Sequence, residues 1–169
     1  MAEQEQQYEI GMVGLGVMGR NLVLNIADHG FSVSGYDVDL SKVQELKTEI
    51  ESRTIHAATS LKEFVSVFST PRVIMMLVPA GRIVDNVIRD LMPLLERDDL
   101  IIDAGNSHFK DTDLRSETLA EKGILYMGVG ISGGQNGARH GSSLMPGGSQ
   151  AAYERVDARG DFHTNWDYD

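Results

Sequence analysis

The stretch that most narrows the fold is VGLGVMGRN, which sets Gly14, Gly16 and Gly19 in G-x-G-x-x-G spacing. Glycine-rich turns are common, so the spacing alone says little; its setting says more. The run YEIGMVGL before it reads as a strand. MGRNLVLNIADHG after it carries Leu22 and Ile26 at helical spacing, with Gly30 suited to a C-terminal cap. A strand, a glycine turn and a helix in that order form the context in which such glycines hold a dinucleotide. Gly14 allows the tight turn, Gly16 admits a pyrophosphate to the backbone, and Gly19 lets the helix lie on the strand. Leu15, Val17 and Met18 complete the loop, and the helix N-terminus offers free N–H groups and a positive dipole to phosphate. The alternative reading is a glycine turn that packs without a ligand.

The pattern then repeats. FSVSGYD is a second strand. SKVQELKTEIES opens on Ser41 and Gln44 as a capping box, and SLKEFVSVF does the same with Ser60 and Glu63. Strand RVIMMLV, a helix after Gly81, strand LIIDAG, a helix after Asp111 and strand ILYMGVG follow, and AAYERV reads as a further helix. Strands separated by helices imply parallel βαβ units, because parallel neighbours need a crossover. The expected fold is therefore α/β, a Rossmann-like doubly wound and mostly parallel sheet, with ligands at the carboxyl ends of its strands. Gly123 to Gly148 stands apart, with nine glycines in 26 residues. It reads as a close-packed loop where backbone approaches a ligand or another strand.

Asp37 ends the second strand, eighteen residues after Gly19. A carboxylate there accepts hydrogen bonds from an adenosine ribose and repels a 2′-phosphate. Val38 and Asp39 beside it supply no cation, which favours NAD over NADP, although Lys42 is close enough to soften that preference. Asp37 also suits a helix or turn cap.

Bulk properties exclude several function classes. At 169 residues the chain can form one domain of ordinary size. A net charge of −10 with dispersed Lys and Arg argues against nucleic acid as a partner. The absence of cysteine rules out disulfides, thiolate metal sites and Cys nucleophiles, and fits the cytoplasm. His29, His56, His108, His140 and His163 never fall at zinc-ligand spacing, so no metal is expected; they read as surface groups or satisfied polar contacts. MAEQEQQYE is too acidic for a targeting peptide. The longest apolar run, VIMMLVPA, is far below the ~18–20 residues of a membrane span, so no membrane partner is expected.

Three segments together resemble a known family. GLGVMGRNLVLNIADHGFSVSGYD resembles the opening of β-hydroxyacid dehydrogenases, and IIDAGNSHFKDT and GVGISGGQNGARHGSSLMPGG narrow this to 6-phosphogluconate dehydrogenases. The resemblance runs from about residue 8 to residue 156. It implies oxidative decarboxylation of 6-phosphogluconate to ribulose 5-phosphate in the pentose phosphate pathway, with NAD or NADP as hydride acceptor. It further implies a pyrophosphate on Gly14 through Gly19 and a loop over the cofactor at Val78, Pro79 and Ala80. Asn106 of GNS would touch cofactor and substrate, and Ser132, Gly133 and Gly134 of SGG would hold substrate. On chemistry alone Asn106 is equally a turn or cap residue. NADP-dependent members usually carry asparagine and arginine at the positions of Asp37 and Val38, although NADP is the commoner family cofactor. QN stands at 135–136 where the family commonly has two glutamates.

The resemblance stops at Val156. The family's lysine and glutamate acid–base pair lies further along, on an all-helical domain that also forms its dimer, so no catalytic residue is expected in this chain. Residues 1–156 read as the NAD(P)-binding domain with that helical domain missing. Residues 157–169, DARGDFHTNWDYD, read as a tail outside the family pattern: a disordered terminus, a frame-shifted or foreign sequence, or a functional tail. Three functional readings follow. They are a dehydrogenase represented by its cofactor domain and inactive alone, a free dinucleotide-binding module, and a non-functional product. Another β-hydroxyacid dehydrogenase activity is a further alternative to the first.

Overall fold

The short apolar runs become strands because their side chains are buried on both sides, as parallel sheets require. The computed structural model describes residues 7–157. In chain order, β1 (Ile10–Val13), β2 (Val33–Tyr36), β3 (Ile55–Ala58), β4 (Val73–Met76), β5 (Leu100–Asp103), β6 (Leu125–Ser132) and β7 (Ser143–Gly148) form one sheet. Their order is β3-β2-β1-β4-β5-β6-β7, parallel throughout except that β7 runs antiparallel to β6. Every residue of β4 and β5 is buried. The helices between them are α1 (Val17–Asp28), α2 (Leu40–Thr48), α3 (Leu61–Ser66), α4 (Arg82–Leu91), α5 (Phe109–Ala120), α6 (Gly134–His140) and α7 (Gln150–Asp157).

Two apolar clusters, one on each face, confirm the doubly wound Rossmann-like architecture. Leu22 and Val23 of α1, Leu46 of α2 and Ala152 of α7 pack with Met12, Met75 and Met127. Phe64 of α3, Val84 of α4 and Leu119 of α5 pack with Ile74, Met76 and Tyr126 on the other side. The strand order reverses between β1 and β4, so a crevice opens at their carboxyl ends.

Several local expectations change. β3 has no counterpart in the sequence reading; four residues, one of them a half-exposed His56, are too few to show a period. α2 is capped by Asp39, whose carboxylate accepts the Ser41 N–H at 3.0 Å, not by Ser41 with Gln44. The ionised oxygen two residues upstream is the stronger acceptor. At α3, Ser60 Oγ accepts the Glu63 N–H as expected, but the Glu63 carboxylate turns back to Thr59 N–H and hydroxyl. α5 begins two residues before Asp111, capped by His108. The strand expected at ILYMGVG is β6, but the rest of the glycine-rich stretch is α6 and β7 and not a loop; the expected approach of backbone to another strand occurs where Gly128 lies opposite Gly147. The helix expected at AAYERV is α7, which runs to Asp157, while the rest of the tail read at 157–169 lies outside the described residues.

Candidate functional site

Three glycines with three different surroundings build the first wall of the site. Gly14 has φ +99°, and a Cβ on it would lie 2.4 Å from the Leu77 carbonyl oxygen, so the end of β1 closes directly on the chain leaving β4. A Cβ on Gly19 would lie 1.9 Å from the Gly14 carbonyl oxygen, so α1 rests on the turn. A Cβ on Gly16 would meet nothing within 4 Å. Packing explains the first and third glycines, and open space surrounds the second. No side chain caps α1 and no acidic residue occupies its first turn. That leaves uncapped N–H groups and the positive end of the helix dipole facing the crevice.

Asp37 is buried and holds this loop. Its Oδ2 accepts the Leu15 N–H at 2.7 Å and its Oδ1 accepts the Asp39 N–H at 2.8 Å. Lys42 Nζ lies 3.7 Å from Oδ2. A carboxylate has about four lone-pair sites, so capacity for a ribose hydroxyl remains. Both readings of Asp37, loop support and ribose acceptor, therefore stay compatible. Leu15 is fully buried with its N–H committed to Asp37, whereas Val38 stands 84% exposed at the tip of β2.

A cleft of about 340 Å³ lies against the fingerprint, lined by Gly16, Val17, Met18, Gly19, Val78, Pro79 and Asn106 among others. A second, of about 760 Å³, runs between α5 and the β6–β7 pair, and Asn106 lines it too. Asn106 thus sits where the two clefts meet, with φ +58°. Asparagine tolerates that left-handed conformation better than other non-glycine residues. Leu77, Ala104, Gly105 and Ile131 also line the smaller cleft and were not expected from sequence. Ala80 is exposed and outside both walls. Ser132, Gly133 and Gly134 lie just past Ile131, exposed and outside both walls, with left-handed φ of +124° and +58° at the two glycines.

Beneath Asn106 lies a polar network that sequence reasoning missed. Asp103 is buried at the end of β5, accepting the Gly105 N–H at 2.9 Å, the Tyr126 hydroxyl at 2.8 Å and the Ser107 hydroxyl. Burial first, and the Asp103 carboxylate second, push the Tyr126 phenol well above its ordinary pKa, so it stays protonated and donates. A strand-terminal acid after an apolar run was the available signal. Arg115 of α5 joins the network by donating to Ser107 Oγ at 3.1 Å, and within a mostly polar helix it gave no signal.

One other arrangement has the look of chemistry. Ser34 Oγ lies 3.0 Å from His56 Nδ1, and His56 Nε2 lies 3.2 Å from Glu63 Oε1. Ser34 is fully buried in β2, so no substrate reaches it, and the trio links the edge of the sheet to α3. Among the described residues no cluster of His, Asp and Glu has the makings of a metal site. No described helix is long and apolar enough to cross a membrane.

Residues 9–158 match the family model of the NAD binding domain of 6-phosphogluconate dehydrogenase. The chain belongs to that family. It is 51% identical over 149 residues to the decarboxylating 6-phosphogluconate dehydrogenase 1 of Saccharomyces cerevisiae, covering 88% of this chain and 30% of the yeast protein. It is 47% identical to the NADP(+)-dependent decarboxylating 6-phosphogluconate dehydrogenase of Bacillus subtilis, covering 88% and 32% of the two chains. The structure of the Plasmodium falciparum 6-phosphogluconate dehydrogenase, studied with NADP+ and with 6-phosphogluconate, superimposes with a TM-score of 0.84 at 35% identity. That match covers 89% of this chain and 32% of the other. The chain therefore spans about 30% of the length of the 6-phosphogluconate dehydrogenases it matches.

Proposed function

We propose that this chain is the dinucleotide-binding domain, residues 1–156, of a 6-phosphogluconate dehydrogenase that converts 6-phosphogluconate to ribulose 5-phosphate with NAD or NADP. The observation that carries the reading is the smaller cleft, where Gly16, Val78, Pro79 and Asn106 converge at the point of reversed strand order. The open space at Gly16 and the uncapped α1 N-terminus fit a pyrophosphate. In this reading Gly14 through Gly19 hold the pyrophosphate and Asp37, with Val38 and Asp39, faces the adenosine ribose. Val78, Pro79 and Ala80 cover the cofactor, and Asn106 bridges it to substrate. Ser132, Gly133 and Gly134 bind substrate from beyond the cleft wall.

The bound nicotinamide supplies the hydride acceptor. This chain's residues bind, orient and exclude water: the Asn106 amide can donate to one substrate oxygen and accept from a hydroxyl. We place the family's lysine and glutamate acid–base pair outside this chain. NAD is preferred, because Asp37 already engages Lys42 and Val38 offers a 2′-phosphate no cation. The same reading makes 6-phosphogluconate the small-molecule partner, with dimerisation through the family's helical domain and a cytoplasmic location. A second reading is a binding module without turnover, which the open cleft at the fingerprint supports equally.

Isothermal titration with NAD+ and NADP+ tests the binding claim, and NADH formation from 6-phosphogluconate by this chain alone should be absent or barely detectable. Saturable binding, tighter for NAD+, is the expected result. Failure to bind either nucleotide would remove both readings, and turnover at ordinary enzyme rates would remove the second and overturn the placing of the acid–base pair outside this chain.

A further inference from the structure

Arg115 reaches from the middle of α5 to the chain behind both lips of the smaller cleft without lining that cleft itself. Its Nε donates to Asp85 Oδ1 at 2.8 Å and its Nη2 to the Gly81 carbonyl oxygen at 3.2 Å, both at the start of α4 behind the Val78–Pro79 lip. Its Nη1 donates to Ser107 Oγ at 3.1 Å and lies 3.7 Å from Asp103 Oδ2, behind the Asn106 lip. The side chain is 91% buried, and its planar fork satisfies three acceptors at once, which lysine cannot do. The lips also meet directly: a Cβ on Gly105 would lie 2.3 Å from the Val78 carbonyl oxygen. Asp103 in turn clasps the Asn106 turn from below through Gly105 N–H, Ser107 and Tyr126.

We propose that Arg115 is a positioning residue that locks the post-β4 and post-β5 lips together and so sets the nicotinamide half of the cleft, leaving the adenosine half alone. The inference rests on the dinucleotide reading above. In the strand order β2-β1-β4-β5, Asp37 follows β2 and the fingerprint follows β1, whereas both lips gripped by Arg115 follow β4 and β5. A ligand whose pyrophosphate sits on the fingerprint therefore extends its adenosine over β2 and its nicotinamide over β4 and β5. An arginine serving only to hold the fold together would have no reason to favour one half.

The test compares NAD+ with ADP, which carries the adenosine half and a pyrophosphate but no nicotinamide. Isothermal titration would use the 169-residue chain as wild type, Arg115→Gln and Tyr126→Phe. For Arg115→Gln the NAD+ affinity should fall roughly two- to thirty-fold, the range found for substitutions within coupling networks, with ADP affinity unchanged. Tyr126→Phe removes one donor from Asp103 and one side-chain partner from Arg115 while leaving the Arg115 bonds to Asp85, Gly81 and Ser107 in place, and should move NAD+ affinity the same way by less. It also decides the question if circular dichroism shows Arg115→Gln unfolded. Equal losses for NAD+ and ADP, or no loss for NAD+, would overturn the proposal while leaving the dinucleotide reading intact. A wild-type chain that binds neither ligand would overturn both.

Discussion

Gly16 and Gly19 are three positions apart on one turn, and the structure asks different things of them. A methyl on Gly19 would enter the Gly14 carbonyl, whereas one on Gly16 would point into open space from an extended backbone that alanine adopts freely. Gly19→Ala should therefore cost about 1–3 kcal/mol of stability by overpacking, seen as a lower urea midpoint. Gly16→Ala should leave that midpoint unchanged and weaken dinucleotide binding. The opposite pattern would mean the glycines had been assigned the wrong tasks. Asp37 combines two tasks in one side chain. Asp37→Asn keeps an oxygen for the Leu15 N–H and, with Val38→Arg, removes a negative charge and adds a cation at an exposed tip. The ratio of NADP+ to NAD+ affinity should then rise about ten- to a hundred-fold, the worth of a hydrogen bond to a charged group; an unmoved ratio would take cofactor choice away from this corner. Sequence reading reached the fingerprint because its chemistry is local. It missed Arg115 and Asp103 because their partners lie on other elements, Asp85 being thirty positions away from Arg115.

At the level of elements, α3 shows how a correct start signal can carry incorrect wiring. Ser60 caps the helix as its type suggests, but the Glu63 carboxylate bonds Thr59 N–H at 2.8 Å and the Thr59 hydroxyl at 2.7 Å. Hydrogen bonds from the Thr59 side chain and then its backbone hold the Glu63 carboxyl below its usual range, against some burial and with help from His56. A folded-state pKa below the unfolded one stabilises above the unfolded value, near 4.3, and that gain is lost as pH falls through the lower folded value. Glu63→Gln should thus lower the urea midpoint at neutral pH and have little effect near pH 3. An equal cost at both would assign the effect to packing. The strands of the sheet centre were legible because burial on both faces makes them continuous apolar runs. Of the Gly123–Gly148 stretch only β6 was legible, since the glycines there serve strand packing: a Cβ on Gly128 would lie 2.9 Å from Thr112 of α5, and one on Gly148 would lie 3.2 Å from Met127 of β6.

Across the whole molecule, the cleft is a consequence of topology, since only the reversal of strand order between β1 and β4 leaves the fingerprint, the post-β4 lip and Asn106 facing one space. Folding therefore assembles the site from segments that are far apart in the chain, and the unfolded chain has no equivalent to offer a ligand. Binding must then stabilise the fold by mass action, by about 2.7 kcal/mol at a ligand concentration one hundred times Kd. For a domain of this size each kcal/mol moves Tm by roughly 2–4 °C, so saturating NAD+ should raise Tm by roughly 5–10 °C. The same ligand should leave the Tm of Gly16→Ala nearly where it stands without nucleotide, because that variant keeps the fold and loses the phosphate contact. Differential scanning fluorimetry on the two proteins, with and without NAD+, decides the matter. A Tm shift of equal size in both would show that the stabilising contact lies away from the fingerprint, and no shift in either would show that folding and dinucleotide binding are not linked through this cleft.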